Sequence, residues 1–371
     1  MKALICGGFG FSGQYLVYFL LKKGYKVILL GRAKGSLTLN KRLQILIDNN
    51  SLVSSEFKIA KDLFAKITIL EGDIAKPGLG LAHEQYDYIL RAKPDKIYNL
   101  AACLRYEEKY RNKLFQTNVE GTKQLLELAK QIKCKYIHIS TAYIAGTEIE
   151  SGTVIEEKYY ESENFPNVYL ESKACAEHLI RDYSKKFKIN YNIFRFPTLI
   201  GDSETGFTNS IFGFYEYIAA ISAIKRKNKA NEQIRFMASP KGAVNLLPVD
   251  IVVKCLCEID QQSNINNQIF NLTDNNPLSP SKIGDIINRI FELKLVAVNN
   301  CNFKEEATWL EKLFSRLTSK NSSFATRVYL FDSKNSELYL GRSVSSGWEK
   351  SKDYFLLLKS GFDRHVESLK K

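Results

Sequence analysis

A tyrosine and a lysine four positions apart, Tyr169 and Lys173, are well suited to proton transfer. On a helix, residues i and i+4 lie on one face, so the phenol and the ammonium would point the same way. A free tyrosine has a pKa of about 10, and a neighbouring cation favours the phenolate and lowers that pKa. The pair alone also fits an ordinary solvated helix face. The elements around it decide between the two interpretations.

A glycine-rich loop near the N-terminus predicts a dinucleotide site. Residues 2–6 are apolar, and GGFGFSG at 7–13, a helix-like segment at 14–23 and a second apolar run at 26–30 follow them. In this context, glycines let the backbone approach a pyrophosphate, and the helix N-terminus supplies amide donors and a positive dipole. A plain glycine-rich turn is the alternative.

The end of the second apolar run indicates which dinucleotide is bound. It reads Gly31-Arg32, without the acidic side chain that would hold the ribose 2′-hydroxyl of NAD. An arginine at this point fits the 2′-phosphate of NADP, so the sequence favours NADPH over NADH. A surface arginine without a ligand is the alternative.

The remaining strand-like runs place several candidate residues at one edge of a sheet. These runs stand at 67–70, 96–100, 136–140, 191–196 and 268–272. Alternating strands and helices predict an α/β fold of the Rossmann type, a doubly wound parallel sheet that binds its ligand at the carboxyl ends of the strands. Gly10, Asp73, Ala101, Thr141 and Tyr169 all follow such strands. This convergence favours the proton-transfer interpretation. His138, inside the run at 136–140, is expected to pack within that strand.

Composition narrows the class of protein. The chain has 371 residues, of which 45% are hydrophobic and 25% charged, as in soluble globular proteins. We expect a cytoplasmic protein without a signal peptide or membrane span, with seven reduced cysteines and no metal site. The net charge of +13 suggests an anionic partner, which could be a nucleotide, coenzyme A, an acidic protein or a membrane surface. We expect no nucleic-acid partner.

The chain beyond about residue 200 predicts a smaller, C-terminal substrate-binding lobe. We assign 1–200 to the NADP-binding Rossmann domain, with 245–275 returning to it, and 201–244 and 276–371 to the lobe. The apolar, aromatic stretch at 211–224 precedes a basic run. It is either a lobe helix with a solvated basic end or a wall that faces an acyl chain or a membrane periphery.

Three further expectations concern local structure in this half of the chain. Asp250 is a candidate N-cap for a helix at 251–259. Helices are expected at 309–317 and 348–369. A break is expected at 321–323, where an Asn-Ser-Ser run interrupts the helical pattern.

Together these motifs resemble the extended short-chain dehydrogenases/reductases, and more closely their fatty acyl-CoA reductase and thioester reductase branch, the male sterility type. The resemblance covers roughly residues 1–275. It rests on GGFGFSG at 7–13, GDIAKPGLGL at 72–81, AACLRYE at 101–107, NVEGT at 118–122, STAY at 140–143, the Tyr169 helix and LPVD at 247–250. Cys6 departs from the family's usual threonine, and the match fades after about residue 300.

The resemblance implies a role for each matching residue. Thr141, or its neighbour Ser140, would donate a hydrogen bond to the substrate carbonyl. Tyr169 would donate the proton, while Lys173 would hold the nicotinamide ribose and lower the pKa of Tyr169. The residues implied to bind the cofactor are Gly7, Gly10, Phe11, Gly13, Arg32, Asp73, Ile74, Ala101, Asn118, Lys173 and Pro197.

The resemblance also implies an activity, the NADPH-dependent reduction of a fatty acyl thioester to an aldehyde or alcohol. The thioester would arrive as acyl-CoA or on a separate acyl carrier protein. One alternative is an extended short-chain enzyme that acts on a sugar nucleotide or another carbinol as epimerase, dehydratase or dehydrogenase. Another is a non-catalytic, NADP(H)-binding regulatory protein, which would have no need of Thr141, Tyr169 and Lys173 together. Fold alone does not separate these functions.

Overall fold

The computed structural model describes residues 1–229, 231–239, 242–299, 303–319 and 327–368. Cys301 and the break predicted at 321–323 lie outside the described residues. The strands are β1 Lys2–Cys6, β2 Lys26–Gly31, β3 Ile67–Glu71, β4 Lys96–Asn99, β5 Lys135–Thr141, β6 Val154–Ile155, β7 Tyr191–Phe196, β8 Thr198–Ile200, β9 Gln233–Met237, β10 Leu246–Pro248, β11 Gln268–Asn271, β12 Lys294–Val298 and β13 Leu330–Phe331. The helices are α1 Phe11–Lys22, α2 Leu39–Asn49, α3 His83–Ala92, α4 Arg111–Phe115, α5 Gly121–Ile132, α6 Val168–Phe187, α7 Phe214–Lys227, α8 Val249–Asp260, α9 Pro280–Phe291, α10 Phe303–Glu306, α11 Trp309–Thr318, α12 Lys334–Leu340 and α13 Lys352–Ser368.

Seven parallel strands form the central sheet, in the order β11-β7-β5-β4-β1-β2-β3. The inner strand β1 is aliphatic and its residues 3–6 are fully buried, as expected for a parallel strand covered on both faces. The strand order reverses between β1 and β4, and the crevice at such a switch point is where a doubly wound sheet binds its ligand. The predicted Rossmann-type fold is confirmed.

Helices cover both faces of the sheet. On one face, α1 and α8 pack against each other and share a core with the sheet. On the other face, α3, α5 and α6 contribute buried side chains to a second core. Loops follow the carboxyl ends of the strands, where a doubly wound sheet builds its ligand site.

One local prediction needs correction. The predicted N-cap is wrong, because α8 begins at Val249 and places Asp250 inside its first turn. A π-helical turn, Gln116–Glu120, which contains Asn118, lies between α4 and α5. The Asp250 carboxylate accepts hydrogen bonds from the Ser203 amide at 2.9 Å and the Ser203 hydroxyl at 2.5 Å, so it joins α8 to the loop after β8.

A third core lies in the C-terminal lobe. Helices α7, α9, α11 and α13 surround the parallel ribbon β9–β12 and bury their apolar faces together. Residues 330–340 fall within the predicted lobe but lie elsewhere, because β13 pairs with β6 and α12 packs on β11 and α8. In the described part of the chain, no helix combines the length and apolar character needed to cross a bilayer.

Candidate active site

Helix α6 carries the proton-transfer pair, and an N-cap and a bidentate ion pair hold its first turns. The Asn167 side chain caps the helix, with its Oδ1 accepting from the Leu170 amide at 3.0 Å. Arg111 on α4 forms a bidentate ion pair with Glu171, at 2.7 and 2.8 Å. These contacts fix the helix register, so Tyr169 and Lys173 face the end of β5, and both line the same cavity.

The Lys173 ammonium is buried and bound to strand β5. Its Nζ donates to the Ile139 carbonyl at 2.6 Å and lies 3.1 Å from His138 Nε2. Burial lowers the pKa of Lys173 to about 8. Burial, with the charge of Lys173 adding to it, holds the pKa of His138 well below its ordinary value. A neutral imidazole therefore accepts the hydrogen bond. Sequence analysis predicted only packing for His138 and missed this contact, since no local pattern pairs a strand residue with a helix residue 35 positions away.

The surroundings of Tyr169 differ from the expectation. Its ring packs edge-to-face against Tyr106, with the centroids 5.8 Å apart. Burial raises the pKa of Tyr169, and the neighbouring Tyr106 adds a smaller contribution in the same direction. The net shift is upward, whereas the sequence analysis expected Lys173 to lower this pKa. Tyr169 is therefore held in its protonated form, the form that donates a proton.

Two hydroxyl groups at the end of β5 face the same cavity. Thr141 Oγ1 accepts from the Tyr143 amide at 3.4 Å, which leaves the hydroxyl hydrogen able to donate into the cavity. Ser140 Oγ is buried and has no hydrogen-bond partner in the described structure. A buried hydroxyl without a partner costs free energy unless a ligand or water pairs with it. Both residues thus remain candidates for the substrate's carbonyl oxygen.

A single cavity of about 570 Å³ collects most of the predicted site. The predicted residues that line it are Gly7, Gly10, Phe11, Arg32, Asp73, Ile74, Ala101, Ser140, Thr141, Tyr169, Lys173 and Pro197. Gly13 and Asn118 are not among the described lining residues. Residues from seven separate stretches of sequence therefore meet at the predicted edge of the sheet.

The glycine loop fits a pyrophosphate through its backbone. Gly7 has φ +90°, and a Cβ built there would lie 2.6 Å from the carbonyl carbon of Leu100 at the end of β4. A Cβ on Gly13 would lie 2.2 Å from the Gly7 carbonyl oxygen, so Gly13 allows the helix to pack on the loop. Helix α1 begins at Phe11, and its first amide groups have no partner within the helix. They are suitable donors to an anion in the cavity.

Two arginines meet near the end of β2, and sequence analysis predicted only one of them. Arg42 on α2 donates to the Arg32 carbonyl at 2.7 Å, and its guanidinium lies 4.8 Å from the centre of the Phe9 ring. Both arginines line the cavity. Burial lowers the pKa of Arg42, and the positive charge of Arg32 adds a smaller contribution in the same direction. An anion between the two would relieve that repulsion. The sequence showed no signal for Arg42 beyond its position on a helical insertion.

Asp73 is already engaged within the protein. Its Oδ2 pairs with Arg32 Nη1 at 2.8 Å, and its Oδ1 accepts from the Ala75 amide at 3.1 Å. The carboxylate thus holds Arg32 at the rim of the cavity. An adenine amino group would have to share one of these oxygens.

Asn118 supports the site through hydrogen bonds and is not among the described residues that line the cavity. Its Oδ1 accepts from the Cys103 amide at 2.8 Å, and its Nδ2 donates to Ser172 Oγ at 2.9 Å. The π-helical turn points the amide toward α6, as such turns often do near functional sites. Asn118 therefore joins the loop after β4 to the Tyr169 helix, whereas the sequence predicted direct contact with the cofactor.

The cavity extends from Tyr169 into the lobe, and we call this extension the lobe channel. It is lined by Phe214, Tyr217, Ile221, Phe236, Ile283, Gly284, Ile287, Leu295 and Phe314. None of these side chains is charged. The charged side chains among the described lining residues are Arg32, Arg42, Asp73 and Lys173, all on the Rossmann side.

The profile of the male sterility protein family matches residues 5–256, more than half of the chain. The chain belongs to the male sterility protein family. This family contains NAD(P)-dependent oxidoreductases, which agrees with the glycine loop, the paired arginines and the Tyr169–Lys173 helix. The residues present fit a nicotinamide dinucleotide.

Curated relatives of this male sterility family member are moderately similar. The fatty acyl-CoA reductase wat of Drosophila melanogaster is 24% identical over 283 residues, which cover 68% of this chain and 52% of that protein. A dTDP-D-glucose 4,6-dehydratase of Dictyostelium discoideum is 27% identical over 285 residues, covering 73% and 58% of the two chains. This chain thus spans just over half the length of these relatives.

Solved structures support the fold. The terminal R domain from the myxalamid PKS-NRPS biosynthetic pathway superposes with a TM-score of 0.78 at 20% identity, covering 98% of this chain and 91% of that one. The UDP-glucose 4-epimerase of Thermotoga maritima gives a TM-score of 0.64 at 15% identity, covering 99% and 100%. The folds of a PKS-NRPS R domain and of a UDP-glucose 4-epimerase therefore both resemble the fold of this chain.

Proposed function

We propose that this chain reduces a fatty acyl thioester with NADPH, the thioester arriving as acyl-CoA or on an acyl carrier protein. One observation carries the proposal. The same cavity joins two arginines, a tyrosine–lysine–hydroxyl group and a lobe channel without charged side chains. The arginines suit a 2′-phosphate, the tyrosine suits a carbonyl, and the channel suits a hydrocarbon chain.

The lobe channel argues against a sugar nucleotide as substrate. A nucleoside diphosphate carries two or more negative charges and needs cationic or amide donors where it binds. The described residues of the lobe channel supply no cation, and most are aliphatic or aromatic. Burying a diphosphate there would leave its charge uncompensated, at a cost of several kcal/mol. The similarity to a sugar-nucleotide dehydratase is therefore a similarity of scaffold.

The Rossmann side would hold the cofactor. Arg32 and Arg42 would bind the 2′-phosphate, and the loop at Gly7 and Gly10 with the first amides of α1 would bind the pyrophosphate. Lys173 would hold the nicotinamide ribose. When bound, NADPH supplies a hydride to the carbonyl carbon.

Thr141 and Tyr169 would stabilise the carbonyl oxygen. As negative charge grows on that oxygen, both hydroxyls donate hydrogen bonds to it. Tyr169 then transfers its proton, and the Lys173 ammonium stabilises the phenolate that remains. The product of this step is a hemithioacetal. Breaking its carbon–sulfur bond releases an aldehyde and a thiol, with the hydroxyl proton passing to sulfur, and Tyr169 is reprotonated from solvent. The aldehyde is the end product or is reduced again to the alcohol.

The test is NADPH oxidation by the purified protein against a panel of acyl-CoAs, with NADH and UDP-sugars as controls. The proposal predicts oxidation that depends on the thioester and releases one free thiol for each aldehyde formed. Oxidation with a UDP-sugar and with no thioester would instead support the sugar-nucleotide alternative. A carrier-bound thioester is the second substrate to try, because the net charge of +13 also suits an acidic carrier protein.

A further inference from the structure

We infer that the lobe channel selects acyl chains by their length, and that Gly284 and Phe314 determine the chain length that the channel accepts. The inference rests on the proposed thioester reduction and adds residues that decide substrate preference. Neither residue belongs to the proton-transfer group or to the predicted cofactor site. Both are contributed by the lobe, in the part of the chain where the sequence predicts least.

Two helices supply facing apolar stripes. On α7, Phe214, Tyr217 and Ile221 line the channel at spacings of three and four residues. On α9, the lining residues 280, 283, 284 and 287 repeat the same spacing. Residues at i, i+3, i+4 and i+7 form one face of a helix, and seven residues advance by roughly 10 Å. Since α7 and α9 pack against each other, the channel follows both helices for about that length.

Gly284 controls the width of the channel. A Cβ built on it meets only the Leu295 carbonyl oxygen, at 3.9 Å, which is ordinary van der Waals contact. The glycine therefore serves neither backbone strain nor close packing of a neighbouring element. Glycine inside a helix costs up to about 1 kcal/mol relative to alanine. Its position on the lining stripe leaves space where any other side chain would narrow the channel.

Phe314 lies deep in the lobe core. It comes from α11, which packs on α7 and β9, and its side chain is 2% exposed. Its ring contacts that of Phe236 edge-to-face, with the centroids 5.9 Å apart. Both rings of this aromatic pair, contributed by the ribbon and the outer helix, line the channel inside the lobe. A smaller residue at position 314 would enlarge the channel there.

The experiment compares chain-length profiles of graded variants. Wild type, Gly284→Ala, Gly284→Leu and Phe314→Leu are assayed for kcat/KM with octanoyl-, dodecanoyl- and hexadecanoyl-CoA. Each methylene group excluded from an apolar site lowers affinity about fourfold. Gly284→Leu should therefore lower the ratio of hexadecanoyl to octanoyl activity by at least about tenfold, the exclusion of two methylene groups. Gly284→Ala should shift the ratio slightly in the same direction, and Phe314→Leu should raise it.

A binding assay without turnover separates this inference from the proposed reaction. Acyl-CoAs of the same three lengths displace cis-parinaric acid, a fluorescent fatty acid, from each variant in the absence of NADPH. If hexadecanoyl-CoA displaces the probe more weakly from Gly284→Leu than from the wild type, that result by itself supports the inferred role of the lobe channel, even if no thioester is reduced. Active thioester reduction with an unchanged length profile in both Gly284→Leu and Phe314→Leu overturns the inference and leaves the proposed function intact.

Discussion

Arg42 should discriminate between NADPH and NADH, and the prediction can be worked out from its contacts. The guanidinium is held by the Arg32 carbonyl at 2.7 Å and by the face of Phe9 at 4.8 Å. Because these contacts already restrict the side chain, little further entropy is lost when it binds an anion. Replacement by alanine removes a charge-assisted partner of the 2′-phosphate and leaves the rest of the cradle unchanged.

Hydrogen bonds to charged groups contribute about 1.5–3 kcal/mol. Arg42→Ala should therefore weaken NADPH binding roughly 10- to 150-fold, at about 1.4 kcal/mol for each factor of ten. NADH has no phosphate at this position, so its dissociation constant should change by no more than about twofold, as for an ordinary surface substitution. Both constants can be measured by the quenching of intrinsic tryptophan and tyrosine fluorescence or by calorimetry.

Lys41 provides the matched control. It precedes Arg42 on α2 and is not among the described residues that line the cavity. Lys41→Ala removes the same charge from the same helix, so it reports the general effect of surface potential on an anionic ligand. Equal losses of NADPH affinity in Lys41→Ala and Arg42→Ala, or equal losses of NADPH and NADH affinity in Arg42→Ala, would show that Arg42 does not bind the 2′-phosphate.

Three further predictions test other parts of the account. Tyr169→Phe should lower kcat about 10²- to 10⁴-fold, as expected for loss of a general acid, and should leave NADPH affinity nearly unchanged in a titration. Glu177→Leu should lower the free energy of unfolding in urea by about 3–5 kcal/mol, because Arg195, which is 0% exposed, loses the carboxylate at 2.6 Å. Burial, and next Asp202, raise the pKa of Asp250 to about 7, from 3.8. The folded state therefore holds a proton that the unfolded state releases, and this contribution to stability is complete below about pH 4 and is lost as pH rises through about 7. The melting temperature of Asp250→Asn, measured relative to that of the wild type, should therefore be higher at pH 8 than at pH 5. An equal difference in melting temperature at both pH values would contradict the raised pKa.

The Rossmann half was predictable because its signals are local. Aliphatic runs of four to six residues mark the parallel strands, and the glycine loop between β1 and α1 marks the phosphate site. Strand order then brings the ends of β1, β4 and β5 together. For this reason the sequence alone places Thr141, Tyr169 and Lys173 in one site.

The remaining features depend on contacts between distant segments. Arg42 reaches the site only because α2 folds back on the end of β2, and His138 acquires its partner only because α6 packs on β5. The lobe channel combines side chains from α7, α9 and α11 with those of β9 and β12. Each of these segments alone predicts an ordinary amphipathic element. Their shared cavity follows from tertiary packing, which periodicity does not report.

Reduction of an acyl thioester by NADPH can be tested by following the transfer of deuterium from labelled NADPH to the acyl product. The protein is incubated with acyl-CoA and NADPH carrying deuterium at the transferable position, and product and free thiol are quantified by mass spectrometry and a thiol reagent. If the chain reduces the thioester, deuterium appears on the former thioester carbon, one thiol is released for each product molecule, and both are lost in Tyr169→Phe. Thiol release with an unlabelled carboxylic acid would indicate hydrolysis and would contradict the account.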